Sequence, residues 1–394
     1  MKNQIILSLL AISGLASCSD NSDDNYEEIP SYPFVEAEFG STVDLGNLAN
    51  YANQTVPAYI IKDNSQGNLI TDKGATLGRV LFYDKNLSSN NTISCASCHK
   101  QEFAFSDTNV ASTGVNGTTG RHSMRLINSR SASETKFFWN ERALNLETQT
   151  TMPIKDHGEM GFSGENGDLS FDDLITKLSA IGYYKELFKF VYGTEEITEA
   201  KIQSALAQFI RSIQSFDSKY DAGRALATND GQPFSNFTAQ ENQGKNLFLS
   251  PPVFNTNGVR TSGGLGCAGC HRAPEFDIDP NTLNNGIIGT IAGTGIDTGN
   301  TRAPSLRDLV RTDGTTNGPM MHTGVITTLQ AAIGHYGTIN LAPGNNNLDP
   351  RLTPGGVGQQ LNLTATEVNA VIAFLRTLSG TDVYTNTKWS NPFN

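Results

Sequence analysis

The chain has 394 residues, a length that accommodates two or three domains. A net charge of −11 argues against a nucleic-acid binder, which presents a basic face. After the N-terminus no apolar run reaches the roughly 18 residues that mark a spanning helix, and 38 glycines point to a large share of loop.

The chain opens with a cationic Lys2 and a short apolar stretch from Ile5 to Ala16. This pattern reads as a secretory signal peptide over 1–17. Leu15-Ala16-Ser17-Cys18 is similar to the lipobox of bacterial lipoproteins, in which the cysteine is lipidated and becomes the first mature residue. The polar, acidic run from Ser19 to Asn25 cannot bury enough apolar surface to fold. Residues 18–45 are therefore expected to form a lipid-anchored tether. The chain is expected to be an exported lipoprotein, periplasm-facing or at the cell surface, meeting the membrane through its lipid alone.

Next comes Gly78-Arg-Val-Leu81-Phe82, and the same G-x-x-L-F element returns as Gly244-Lys-Asn-Leu247-Phe248. Each precedes a cysteine motif, which points to a duplicated domain with a helix carrying each element. Ile202, Leu206, Phe209, Ile210, Ile213 and Phe216 recur near a 3.6 period and predict a helix over 197–216. Polar Asp221 to Ser235 reads as the break between domains. Thr238-x-x-Glu241 and Thr364-x-x-Glu367 are capping boxes, and Gly380 is placed to stop the last helix. The stretches 284–300 and 340–360 read as long loops. Strand signals are weak.

Of five cysteines, four form two identical patterns, Cys95-Ala-Ser-Cys98-His99 and Cys267-Ala-Gly-Cys270-His271. C-x-x-C-H is the attachment signature of c-type haem. Two thiols add to the haem vinyl groups, and the next residue sets an imidazole under the iron. The competing readings are a four-cysteine zinc site and two redox-active pairs. Zinc does not require a histidine after each pair, and a redox pair would need a βαβ context that the sequence lacks.

Two haem motifs in an exported chain of this size resemble the bacterial dihaem cytochrome c peroxidases and their relative MauG. Further blocks carry the resemblance: Phe138-Trp139-Asn140-Glu141-Arg142, Gln149 to Pro153, Glu159-Met160-Gly161, Arg302 to Arg307, and Pro319 to Gly324. The fold it implies is mainly α, two cytochrome c-like haem domains in tandem with long loops and little strand. These domains are expected over 46–225, peroxidatic, and 226–394, electron-transferring. The implied reaction is reduction of hydrogen peroxide to water with electrons from a small c-type cytochrome or cupredoxin. A MauG-like oxidation of a protein or organic substrate, and a non-catalytic dihaem electron carrier, are the alternatives.

By the same resemblance, Glu159 is the distal acid–base group, Gln149 a hydrogen-bond donor to peroxide, and Pro153 a shaper of the same pocket. Trp139 is the relay between haems; simple core packing is the plainer reading of that indole. Family members are often dimers, so a homodimer is a further expectation.

The chain departs from the pattern at three places. The segment 112–117, where well-known members carry a histidine that caps the resting iron, has none here. The first haem is therefore expected to be open at rest, with His122 the nearest substitute cap. His122 instead occupies a position where many members have a calcium-binding asparagine, and imidazole suits calcium poorly. Calcium, with backbone carbonyls near Asn317 and Pro319, remains a candidate cofactor. Where well-known members carry a methionine ligand to the second haem, this chain has Tyr336, as MauG does, with His335 the alternative ligand. A phenolate would lower the haem potential. Arg121 and Arg302 are candidate partners for haem propionates, and His322 for its own loop or a haem propionate.

Overall fold

The structure, a computed structural model, describes residues 31–133, 136–278 and 280–393. The expected signal segment and the expected lipidation site Cys18 lie outside these residues. No helix among the described residues is long and apolar enough to cross a membrane.

The first core is built from α1 (Pro33–Phe39), α2 (Asp72–Tyr83), the single turn α3 (Cys95–Cys98), α4 (Leu146–Thr151), α5 (Phe171–Ser179), α6 (Gly182–Tyr192) and α7 (Glu199–Ser212). The second follows α8 (Lys219–Arg224) and uses α9 (Ala239–Leu249), α10 (Leu329–Gly337) and α11 (Ala365–Arg376). Among the described residues, strand is confined to two antiparallel pairs. β1 (Pro252–Phe254) pairs with β2 (Arg260–Gly263), and β3 (His271–Arg272) with β4 (Asp277–Ile278). Long irregular segments make up much of the remainder, as the glycine content predicts.

The repeated G-x-x-L-F element sets the same helix crossing in both halves. Gly78 of α2 lies so close to α7 that a Cβ there would sit 2.0 Å from the Ala205 carbonyl. Gly244 of α9 meets α11 in the same way, 1.9 Å from the Ala370 carbonyl. Each glycine therefore lets two backbones touch, and the flanking apolar residues fill the core around the contact. Phe82, Leu206 and Phe209 belong to the first core. Phe248, Phe276 and Phe374 belong to the second. Both expected capping boxes form, with Thr238 accepting from the Glu241 N–H and Thr364 from the Glu367 N–H at 3.2 Å each.

Three differences from expectation have local causes. Residues 33–45 do not act as tether: Val35, Phe39 and Val43 are buried in the first core. The free N–H groups opening α1 are met by Glu186, whose carboxylate accepts from Phe34 and Val35 at 3.0 and 2.9 Å. The helix expected over 197–216 ends at Ser212, because Ile213 turns to extended backbone and the Ser212 hydroxyl donates to the Phe209 carbonyl at 2.6 Å. Tyr220 packs in the second core, ahead of the expected boundary, while Val383 and Trp389 return to the first.

Candidate haem sites

Each C-x-x-C-H motif opens onto its own cavity. Cys95, Cys98 and His99 line one of about 350 Å³. Cys267, Cys270 and His271 line one of about 600 Å³. Both volumes fall within the roughly 300–1,000 Å³ typical of cofactor sites. The two thiol pairs thus cannot share one tetrahedral zinc, and no cluster of three metal-ligating side chains exists among the described residues. A redox-active pair needs a depressed thiol pKa. Here burial pushes Cys95 and Cys267 up to about 12 and Cys98 to about 11.

The histidines are poised as neutral ligands. His99 Nδ1 lies 3.2 Å from the Phe105 carbonyl. A carbonyl only accepts, so Nδ1 carries the proton and Nε2 keeps its lone pair for iron. Ala104 and Phe105 both adopt left-handed backbone (φ 54° and 58°), which aims that carbonyl at the ring. Burial lowers the His99 pKa, and it lowers that of His271 to about 4. The Pro304 carbonyl opposes the shift at His271, and the Met124 carbonyl does so at His99. These residues fit two covalently attached haems.

The first cavity also gathers the residues expected to handle peroxide. Gln149, on α4, and Pro153 line it together with Glu159 and Trp139. Glu159 stands on a tight turn in which Asp156 Oδ1 accepts from the N–H groups of Gly158 and Glu159 at 2.9 and 3.0 Å. Burial raises the Glu159 pKa to about 7; Asp156 adds to the rise and Arg142 opposes it. Arg142 lines the cavity, stacks 3.5 Å from the Phe138 ring centroid and donates to Asn140 Oδ1 at 3.2 Å. Sequence reasoning quoted its block without giving the arginine a role.

The segment 112–117 braces this turn. Val115 N–H donates to the Glu159 carbonyl at 2.9 Å, and Asn116 N–H to that of Gly158 at 3.2 Å. A Cβ on Gly114 would lie 2.1 Å from the Gly158 carbonyl, so only glycine permits the approach.

A family model described as di-haem cytochrome c peroxidase matches residues 72–229. The methylamine utilization protein MauG of Methylorubrum extorquens is 30% identical over 282 residues, 69% of this chain and 70% of that protein. The chain belongs to the dihaem cytochrome c peroxidase and MauG family. Cytochrome c551 peroxidase of Nitrosomonas europaea is 28% identical over 320 residues, 78% of this chain and 80% of that one. The crystal structure of a MauG-like protein associated with microbial copper homeostasis superposes with a TM-score of 0.66 at 28% identity, covering 86% of this chain and 99% of that one. The protein is thus a dihaem peroxidase, an oxidoreductase carrying two covalently bound c-type haems, and its mainly helical fold is that of the family.

In this family member, Tyr336 of α10 lines the second cavity and His335 does not. His335 Nε2 instead lies 2.9 Å from the Asn285 carbonyl. Burial raises the Tyr336 pKa. Met320 and Met321 line the same cavity.

Trp139 is buried and lines both cavities. Its Nε1–H donates to the His122 carbonyl at 2.6 Å, and its own carbonyl accepts from Arg302 N–H at 2.8 Å. His322 packs edge-on to the indole at 6.3 Å between centroids. His322 Nε2 lies 3.2 Å from the Gly289 carbonyl, which belongs to the segment 284–300 and not to its own loop. His122 also borders both cavities, with Nδ1 held 3.0 Å from the Asn109 carbonyl and Nε2 buried without a partner.

Arg121 is spent on Asp297, with Nε and Nη2 both on Oδ2 at 3.0 and 2.5 Å. Arg302 borders both cavities and stacks 4.5 Å from the Phe137 ring centroid. Arg125, given no role from sequence, also borders both. It follows Met124 as Ser305 follows Pro304, and the carbonyls of Met124 and Pro304 both act on the haem-motif histidines. Beside the backbone carbonyls expected for calcium, the Asn317 side chain makes three hydrogen bonds. It accepts from Arg311 Nε at 3.2 Å and donates to the Asp308 carbonyl at 2.8 Å and the Tyr384 hydroxyl at 2.7 Å.

Proposed function

We propose that this chain reduces hydrogen peroxide at the first haem without prior reductive activation, and that a small c-type cytochrome or cupredoxin delivers electrons at the second. The observation carrying this reading is the union of segment 112–117 with the Glu159 turn. The segment that would bring a capping histidine contains none and is hydrogen-bonded to the Glu159 backbone instead.

When bound, the first haem supplies the iron that takes up peroxide and, with the second, the two electrons that cleave it. Glu159 in its carboxylate form takes the proton from one peroxide oxygen and returns it to the other, so the leaving oxygen departs as water. A pKa near neutrality suits both halves of that transfer. Gln149 orients the peroxide, and Pro153 restricts the pocket to a small substrate. Trp139, bordering both cavities, is the conduit between haems. Tyr336 would hold the second haem together with His271, on the support of its place in that cavity.

Steady-state peroxide reduction tests the reading. Turnover is started from the fully ferric enzyme, with a reduced c-type cytochrome added last, and compared with enzyme pre-reduced by one electron. Equal and immediate turnover is expected. Turnover only after pre-reduction overturns the open-site reading and makes His122 the first suspect.

The MauG-like alternative has its own support in Tyr336, because an anionic phenolate stabilises oxidised iron. It calls for oxidised states that persist for minutes without a donor. Rapid decay back to the ferric enzyme counts against it.

For location, Lys2, the apolar run from Ile5 and Leu15 to Cys18 support export and lipidation at Cys18. Mass spectrometry of the mature N-terminus decides between a lipidated Cys18 and an unmodified one. A homodimer is proposed on family precedent alone; light scattering tests it, and the mass of a single chain in solution would overturn it.

A further inference from the structure

Arg125 borders both cavities, that of His99 and that of His271. Its guanidinium makes one hydrogen bond, from Nη2 to the Ser305 carbonyl at 3.3 Å. Nε is shut off from solvent and has no partner. Among the described residues no carboxylate forms an ion pair with it. Asp308 is the carboxylate that acts on it through space. Asp308 Oδ1 accepts from Gly380 N–H at 2.9 Å and the Tyr384 hydroxyl at 3.1 Å, and its Oδ2 makes no hydrogen bond, so neither oxygen is bonded to the guanidinium. Burial accordingly lowers the Arg125 pKa, as for a cation short of counter-charge.

Three other guanidiniums at the first cavity have partners. Arg302, which also borders the second cavity, stacks on the Phe137 ring. Arg121 is neutralised by Asp297, and Arg142 lies on Phe138 beside Glu159. A desolvated cation is costly until an anion meets it. The anions that enter these two cavities are the propionates of the haems. A guanidinium carries five N–H donors in a planar fork, enough for two carboxylates at once.

We infer that Arg125 is a shared counter-ion, one guanidinium serving a propionate of the haem held by His99 and a propionate of the haem held by His271. This rests on the dihaem reading of the two cavities. Arg125 is then a positioning residue that also couples the haems electrostatically. Its positive charge disfavours ferric iron at both sites, so its removal lowers both midpoint potentials.

Potentiometric titration of the holoenzyme, followed at the spectral signature of each haem, tests this. Haem content per chain is measured first; fewer than two haems in the wild type would overturn the dihaem reading and the shared role with it, whereas two haems with unmoved potentials would overturn the arginine's role alone. In Arg125→Gln both potentials should fall together. Arg125→Met, which keeps the packing of the stem, substitutes if the glutamine variant does not assemble. Arg125→Lys, which restores the charge, should recover the greater part of the shift at both haems. A fall at one haem alone, no fall at either, or a fall that lysine does not recover overturns the proposal.

Discussion

The indole Nε1–H of Trp139 donates to the backbone carbonyl of His122 at 2.6 Å, and His122 N–H in turn donates to the carbonyl of His322 at 2.8 Å. The relay candidate is thus fixed by main chain from both halves of the molecule. A backbone carbonyl is no base, so an indole that gives up an electron here keeps its proton. Electron passage through Trp139 should then be nearly independent of pH. Trp139→Phe removes the donor and the oxidisable ring. It should slow electron transfer between the haems by about tenfold or more, equivalent to about 1.4 kcal/mol of barrier. Stopped-flow reoxidation of the second haem by peroxide measures this, and an unchanged rate would reduce Trp139 to packing.

Glu159 sets the pH dependence. Its working form at the start of the reaction is the carboxylate, and burial holds the pKa near 7. The rate of reaction with peroxide should therefore rise with pH through about 7 and level off above it. Glu159→Gln abolishes that limb and costs about 10²–10⁴-fold in rate. Arg142 lowers the same pKa by charge, so Arg142→Gln should move the limb to higher pH while the plateau survives. A limb that stays in place in Arg142→Gln would mean that the guanidinium does not act on Glu159.

At the second haem the contrast between Tyr336 and His335 gives a two-arm test. Tyr336→Met replaces a hard anionic donor with a neutral thioether and should raise the midpoint potential of that haem. His335→Ala should leave the visible spectrum unaltered, because its Nε2 is engaged by the Asn285 carbonyl and the ring stands outside the cavity lining. A spectral change confined to the histidine variant would reverse the assignment.

What could be read from sequence was what is local. Two thiols and an imidazole act within five residues, so Cys95 to His99 and Cys267 to His271 declare their chemistry directly. The capping boxes at Thr238 and Thr364 are likewise closed within one turn. The segment 33–45 misled because its polarity resembles a tether, while burial of Val35 and Phe39 depends on α6, far along the chain. Arg125 and Arg142 were overlooked for a related reason. Their roles come from the cavities they border, and neither arginine differs in sequence from a surface one. The return of Trp389 to the first core has no local signal at all.

Gly114 is the clearest case of a long-range requirement, and it supports the last prediction. A methyl group there would stand 2.1 Å from the Gly158 carbonyl and 2.8 Å from the Glu159 Cα, both backbone atoms that cannot swing aside. Gly114→Ala must therefore push the Glu159 turn away from the brace, weakening the Val115-to-Glu159 hydrogen bond. Misplaced acid–base groups lose efficiency steeply with distance. The variant should keep two haems yet react with peroxide at least about tenfold more slowly, about 1.4 kcal/mol of barrier. Gly67→Ala is the control: the residue is exposed, lines neither cavity, and nothing lies within 4 Å of its added methyl. Its stability and rate should stay within about 0.5 kcal/mol of the parent. Equal behaviour of the two variants in rapid-mixing kinetics would show that the brace does not position Glu159.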